Sequence, residues 1–266
     1  MSATTAEAAV REGDLALALR LLQDQVRPRP ARAPPRIFLF QLLWRMGQWE
    51  RAQNQLAVTG ELDAACLPMV QTYREAIRCE AVREAVFAGR KTPLLLGEPA
   101  EWVALLIEAP ALEAAGDPAR AAGLRARAFD AAPASTGAID DQAFAWIADA
   151  DMRLGPVLEA VIDGKYYWVP VQHLARVELE PPADLRDCVW TAARLAFVNG
   201  GEAVALLPTR YAGTDLAAAP LALARRTDWH EVHPGVFRGA GQRLFATDSG
   251  DRALMDTRTV VLEAAA

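Results

Sequence analysis

The sequence is poor in lysine, cysteine, histidine and serine, and each shortage closes off a class of function. Two of its 28 basic residues are lysine, a bias that a GC-rich genome explains without any special use of guanidinium groups. The 3 cysteines, Cys66, Cys79 and Cys188, are odd in number and show no C-x-x-C spacing. Neither a disulfide framework nor a zinc site is expected, and buried, reduced thiols are. His230-x-x-His233 could bring two imidazoles together, but a third ligand is missing and Pro234-Gly235 reads as a turn, so no metal is expected. None of Ser2, Ser135 and Ser249 sits in a nucleophile elbow, and no Gly-rich phosphate loop follows a strand. No catalytic residue and no cofactor is therefore expected. The acidic pairs Asp140-Asp141 and Asp149/Asp151 read as helix caps.

A basic surplus is also lacking. The net charge is −6, and acidic residues outnumber basic ones in both halves, which excludes nucleic acid or an anionic membrane as the main partner. Long apolar runs are absent too. The stretch Ile37–Trp44 is interrupted by Gln41 and falls far short of the roughly 20 residues that cross a bilayer. The opening Met1–Glu12 has no basic region leading into an apolar core, so no secretory signal is expected. These features predict a cytoplasmic protein without membrane insertion. What is present is ordinary globular material: 266 residues, 52% hydrophobic and 23% charged, enough for one large or two modest cores.

The first half carries a helical pattern. Gly13-Asp-Leu-Ala-Leu-Ala18, Gly47-Gln-Trp-Glu-Arg-Ala52 and Gly116-Asp-Pro-Ala-Arg-Ala121 each place a helix-ending Gly before a small Ala. The first two lie 34 residues apart and the third follows after 69, matching the roughly 34-residue period of tetratricopeptide repeats. Leu15, Leu19, Leu22 and Val26 share one helix face, as do Leu39, Leu42, Leu43 and Met46. Arg27–Pro35 reads as a stiff extended connector. Tyr73–Ala88 reads as a longer helix, Thr92–Pro99 as a loop, and Trp102–Ala115 as a helix that Pro110 should kink or break. Such an array presents a concave furrow that takes a peptide or helix. Trp44, Trp49, Tyr73 and Trp102 are the candidate furrow residues.

Ala143–Ala150 reads as the last helix, and the period then changes to two. Val157–Ile162 and Lys165–Val169 flank Asp163-Gly164, a type I′ hairpin signal. Arg176–Glu180, Cys188–Val198, Ala203–Leu207, Gln242–Thr247 and Arg258–Glu263 read as further strands. Asn199-Gly-Gly and His233-Pro-Gly mark two more turns, and Leu216–Arg226 is the one helix expected in this half. The expected fold is α+β and two-part. Residues 1–148 form an all-α, tetratricopeptide-like array, and residues 149–266 form a mainly-β domain, a small curved sheet or partly open barrel. Tyr166 and Trp168 share one strand face, and Arg210-Tyr211 sits on a loop after Pro208. These four are candidate partner-binding residues.

The blocks Asp149-Ala-Asp-Met-Arg-Leu-Gly-Pro-Val-Leu-Glu, Asp163-Gly-Lys-Tyr-Tyr-Trp-Val-Pro and Glu180-Pro-Pro-Ala-Asp-Leu-Arg-Asp resemble the ImpE family, also called SciE or TagJ. So do Asn199-Gly-Gly-Glu-Ala-Val, Leu207-Pro-Thr-Arg-Tyr, Gly241-Gln-Arg, Ala246-Thr-Asp, Val86-Phe-Ala-Gly-Arg-Lys and Leu96-Gly-Glu-Pro. Val171 stands where the family pattern has an aromatic. The resemblance implies a non-enzymatic accessory protein of the bacterial type VI secretion system. Its helical half would hold a helix of the small contractile-sheath subunit, and a link to the sheath-recycling AAA+ ATPase is implied as well. A competing reading puts a catalytic or small-ligand site at the junction, built on Asp149, Asp151 and Arg153. That reading expects a deep polar cleft with strongly shifted carboxylates.

Overall fold

Glycine ends the helices where the sequence expects it to. In the computed structural model, which describes residues 5–97 and 100–263, α1 (Ala6–Glu12) and α2 (Leu15–Val26) meet at Gly13, whose φ of 87° only glycine adopts freely. The same device separates α3 (Ala33–Arg45) from α4 (Trp49–Leu62) at Gly47. Asp14 caps α2 by accepting from the Leu17 amide at 2.8 Å. α5 (Leu67–Phe87) is the long helix. α6 (Glu101–Ala114) and α7 (Pro118–Ala131) form a further pair around Gly116, with Asp117 capping α7. Ala18, Ala52 and Ala121 are fully buried where each pair packs, because a larger side chain would push the helices apart. Among the described residues no helix is long and apolar enough to cross a membrane.

Several local expectations change. Pro34 and Pro35 do not extend the connector. They occupy the first turn of α3, where a missing amide costs nothing. Pro110 does not break α6, which runs unbroken from Glu101 to Ala114. Gly89 packs against this part of α6, where an added Cβ would meet the Pro110 carbonyl. The helix expected over Ala143–Ala150 is instead β2 and β3, since pairing with neighbouring strands overrides the propensity of a short Ala-rich run. The helix expected over Leu216–Arg226 shrinks to Ala219–Ala222, with Pro220 in its first turn and Ala224 at φ 49° beyond its end. The end of the loop read over Thr92–Pro99, with Ser2, lies outside the described residues.

The strands are β1 (Gly137–Ile139), β2 (Gln142–Phe144), β3 (Ile147–Asp149), β4 (Val157–Ile162), β5 (Lys165–Pro170), β6 (Leu174–Leu179) and β7 (Trp190–Phe197). β8 (Glu202–Pro208) follows, then α8 (Ala219–Ala222), β9 (Thr227–His233), β10 (Val236–Gly241), β11 (Leu244–Thr247), β12 (Arg252–Ala253) and β13 (Thr259–Leu262). An antiparallel sheet of 8 strands runs β2-β1-β13-β6-β7-β8-β4-β5 and does not close into a barrel. β3, β11 and β12 form a smaller sheet, and β9 with β10 a ribbon. The β4–β5 turn has both central residues at positive φ, Asp163 at 49° and Gly164 at 70°, as a type I′ hairpin requires.

β4 explains how the two halves join. All six of its residues are buried, so it is covered on both faces. Its period of two sends Val157, Glu159 and Val161 towards the helices and Leu158, Ala160 and Ile162 into a second core inside the curved sheet. The first core contains residues of α1 through α7 together with Val157, Tyr166, Trp168 and Trp190. Helices and sheet thus share one apolar interior, and Leu94 pairs with the outer edge of β5.

Candidate functional site

Because Glu159 lies on the helix-facing side of β4, its carboxylate enters the seam between halves with no access to water. The chain meets it with cations. Arg83, one of the inward-facing residues of α5, donates to Glu159 through Nε at 2.7 Å and Nη2 at 3.2 Å. Arg243 donates through Nη2, and the Tyr166 hydroxyl also bonds the carboxylate. Trp168, directly opposite Glu159 in the β4–β5 pair, donates Nε1 to the Tyr166 hydroxyl at 2.8 Å. Arg83 further reaches Glu80 at 3.1 Å and the Arg210 carbonyl at 2.8 Å. Burial works against the charge on Glu159, but Arg83, Arg243 and the hydrogen bonds outweigh it and hold the carboxyl at about 2.

A second acidic pair flanks this centre. Asp151 accepts from the Arg153 amide and Nε, both at 2.9 Å, from its Nη2 at 2.6 Å and from the Gly239 amide at 3.0 Å. Asp149 Oδ2 lies 3.3 Å from Arg243 Nε. That contact should favour the ionised form, yet Asp149 is pushed up to about 7. Burial is the main cause. Arg243 compensates it only in part, because Glu159 shares the same guanidinium, and Asp151 adds like charge. The sign follows. Folded Asp149 holds its proton to higher pH than the unfolded chain does, so stability falls as pH rises from about 4 to about 7. Glu159 acts oppositely and loses its contribution as pH drops from 4.5 towards 2. We expect Asp149→Asn to flatten the decline between pH 4 and 7, by roughly 3 kcal/mol across the window. Thermal unfolding at a series of pH values checks this, and an unchanged slope would contradict it.

Neither acidic pair caps a helix, as the sequence suggested they would. Asp140 and Asp141 form the positive-φ turn between β1 and β2, and Asp140 accepts from the Thr259 amide at 2.8 Å. Asp149, Asp151 and Arg153 are drawn together as expected, in a buried cluster whose Arg153 stacks 4.7 Å from the Phe87 ring and lines the cleft at the seam. His230 and His233 lie three apart on β9, where a bulge interrupts the alternation between them.

The aromatic candidates occupy the interior. Trp44, Tyr73 and Trp102 are buried, and Trp49 is half-buried. The Trp44 ring meets those of Trp49 and Tyr73 edge-on, each at 5.6 Å. The loop before β7 covers this furrow: Arg186 stacks 4.9 Å from Tyr73, Gln41 donates to Asp184 and Arg45 to the Leu185 carbonyl. Tyr166, Trp168, Arg210 and Tyr211 are buried as well. The β half therefore closes over Tyr73, Gln41 and Arg45, and all of these candidates except the half-buried Trp49 are turned inward. Arg210 spans the seam, donating from Nη1 to the Arg45 and Ala222 carbonyls at 2.9 Å.

Several openings remain among the described residues, one of about 410 Å³ between Gln41, Arg45 and Asp184. A cleft of about 350 Å³ lies at the seam against Arg83, Arg153, Arg210, Phe87 and Trp49. A shallow groove of about 500 Å³ runs on the outer side of α2, α3 and α4. Sequence reasoning missed Arg83, Glu159 and Arg243. A signal existed for the first two: a lone Glu inside an apolar strand, and an Arg at the spacing of Ala76, Cys79 and Val86 on the inward face of α5.

Residues 141–261 match the family described as ImpE protein. Over 265 residues the chain is 55% identical to the type VI secretion system accessory component TagJ of Pseudomonas aeruginosa, covering 98% of this chain and 92% of that protein. The chain belongs to the ImpE family. The same fold is seen in the crystal structure of protein VPA1032 from Vibrio parahaemolyticus, which superposes with a TM-score of 0.89 over 98% of each chain at 24% identity. The family match covers every strand of the large sheet except β1 and the last residue of β13. It thus takes in Glu159, Arg243 and the Asp149–Arg153 cluster, all on the ImpE-matched side of the seam.

Proposed function

We propose that this protein is a non-enzymatic adaptor of bacterial type VI secretion. It acts in the cytoplasm, holds a helix of the small contractile-sheath subunit, and links the sheath to its recycling AAA+ ATPase. The observation that carries this reading is the near-full-length relative named as an accessory component of that system. Two of the buried acids support the non-enzymatic part. Glu159 and Asp151 have their oxygens engaged by arginines, tyrosine or backbone amides, which leaves them no role as a base towards a substrate.

With the aromatic furrow covered, the docking surface passes to the outer groove between α2, α3 and α4, lined by Val26, Leu39, Leu43 and Arg51. An amphipathic helix lays apolar anchors at i, i+3, i+4 and i+7 into such a groove. Arg27 and Arg51 at its margin suit an acidic flank on the partner. Calorimetry of the full chain with a sheath-subunit helix peptide tests this. Binding is expected, and Val26→Asp with Arg51→Glu should weaken it by about tenfold or more. Unchanged affinity in that variant removes the groove from the reading, and no binding removes the helix. Pull-down of the ATPase with and without the sheath subunit tests the link.

A further inference from the structure

We propose that the cleft at the seam is a binding site for a small organic monocarboxylate, held by the Arg210 guanidinium with its apolar body against Trp49, Phe87 and Leu216. This inference is independent of the adaptor reading and uses a different surface.

The argument begins with charge. Arg45, Arg83, Arg153, Arg210 and Arg243 are buried around the seam, and the buried carboxylates among them are Glu80, Asp149, Asp151 and Glu159. Buried charge is stable only when paired, and here the cations outnumber the anions by one. The pairing shows where the surplus sits. Arg83, Arg153 and Arg243 each contact a carboxylate within 3.3 Å. Arg45 and Arg210 contact none within the ion-pair range among the described residues; Arg45 rests on the Leu185 carbonyl away from the cleft, whereas Arg210, 5% exposed, lines it. Its Nη1 rests on the last carbonyls of α3 and α8, which carry only the partial negative charge of helix C-termini. Its Nε and Nη2 have no protein acceptor among the described residues, yet neither is sealed from solvent, and Arg210 lines the cleft. Burial pulls Arg210 down to about 10; the charge of Glu80 opposes this, and the like charges of Arg45 and Arg83 add to it.

A guanidinium with one edge free offers the parallel pair of N–H groups that a carboxylate accepts. Arg238, exposed on β10, lines the same cleft and adds positive charge at its mouth. The remaining walls join apolar surface, from Val189, Leu216 and the rings of Trp49 and Phe87, to the side chains of Glu80 and Glu84. A volume of about 350 Å³ lies at the small end of ligand sites. That size admits a ring or short chain and excludes a folded partner. The walls select the ligand: an organic carboxylate lays its apolar body against Trp49, Phe87 and Leu216, contact that inorganic phosphate lacks.

Sodium benzoate is the probe, benzamide its neutral counterpart and inorganic phosphate the dianion, each titrated calorimetrically into the full chain at fixed ionic strength. Saturable benzoate binding below about 10 mM is expected, with benzamide and phosphate at least about tenfold weaker. Arg238→Glu, an exposed change that leaves the seam intact, should weaken benzoate by about tenfold, and Arg210→Met should abolish its binding. If Arg210→Met does not fold, the ratio of benzoate to benzamide and the Arg238→Glu result still decide. Equal binding of benzoate and benzamide, phosphate binding as tightly as benzoate, or no saturable benzoate binding would overturn the proposal.

Discussion

Glu159→Gln is expected to destabilise the protein by about 3–5 kcal/mol, the range for breaking a buried ion pair from one side. The substitution keeps the side-chain volume, so cavity formation contributes little. What changes is charge and hydrogen bonding. The carboxylate is wholly buried and receives Arg83, Arg243 and Tyr166. An amide in its place presents an NH2 group to donors and leaves both guanidinium groups short of their main partner. Glu80 still serves Arg83 and Asp149 still faces Arg243, which keeps the loss within that range. Urea denaturation of wild type and variant measures it from the shift in midpoint at constant slope. A loss under about 1 kcal/mol would mean that the network is no more than a surface-grade ion pair.

Trp168→Ala carries a comparable expected cost, about 3–5 kcal/mol. The indole is fully buried, packs 5.9 Å from the Phe87 ring and fixes the Tyr166 hydroxyl that in turn bonds Glu159. Its removal opens a cavity between α5 and β5 and loosens the orientation of Tyr166. Trp168→Phe keeps most of the bulk and loses only the Nε1 hydrogen bond, so its cost should fall to about 1–2 kcal/mol. The ordering of the two variants separates packing from hydrogen bonding. Were Trp168 a partner-docking residue on a free surface, both changes would leave stability within about 0.5 kcal/mol.

Local chemistry was legible where the backbone imposes it. Gly13, Gly47 and Gly116 announced the helix ends, Ala18 and Ala52 the close helix approach, and Asp163-Gly164 the primed turn. The α+β division followed from the change in period. Legibility failed where long-range packing decides. The small side chains of Ala143–Ala150 suit a helix as well as a strand, and only pairing with β1 and β11 selects the strands. The candidate aromatics were read as furrow residues because their spacing suits one. Nothing in that spacing records that residues 182–188, more than a hundred positions away, fold back over Tyr73 and Arg45. A buried Glu between two distant arginines is likewise invisible to periodicity. Its trace is a single charged residue in the apolar strand β4, and its partners come from α5 and from the residue before β11.

The central claim is that the helical half and the sheet are one cooperative body joined through Arg83, Glu159 and Trp168. Amide hydrogen exchange on the full chain tests it most directly, comparing α5 around Cys79–Arg83 with β4 from Val157 to Ile162. The account predicts that both segments open with the same free energy, close to that of global unfolding, and lose protection together in Glu159→Gln. Exchange in α5 that is much faster than in β4, with β4 unaffected by the substitution, would contradict it.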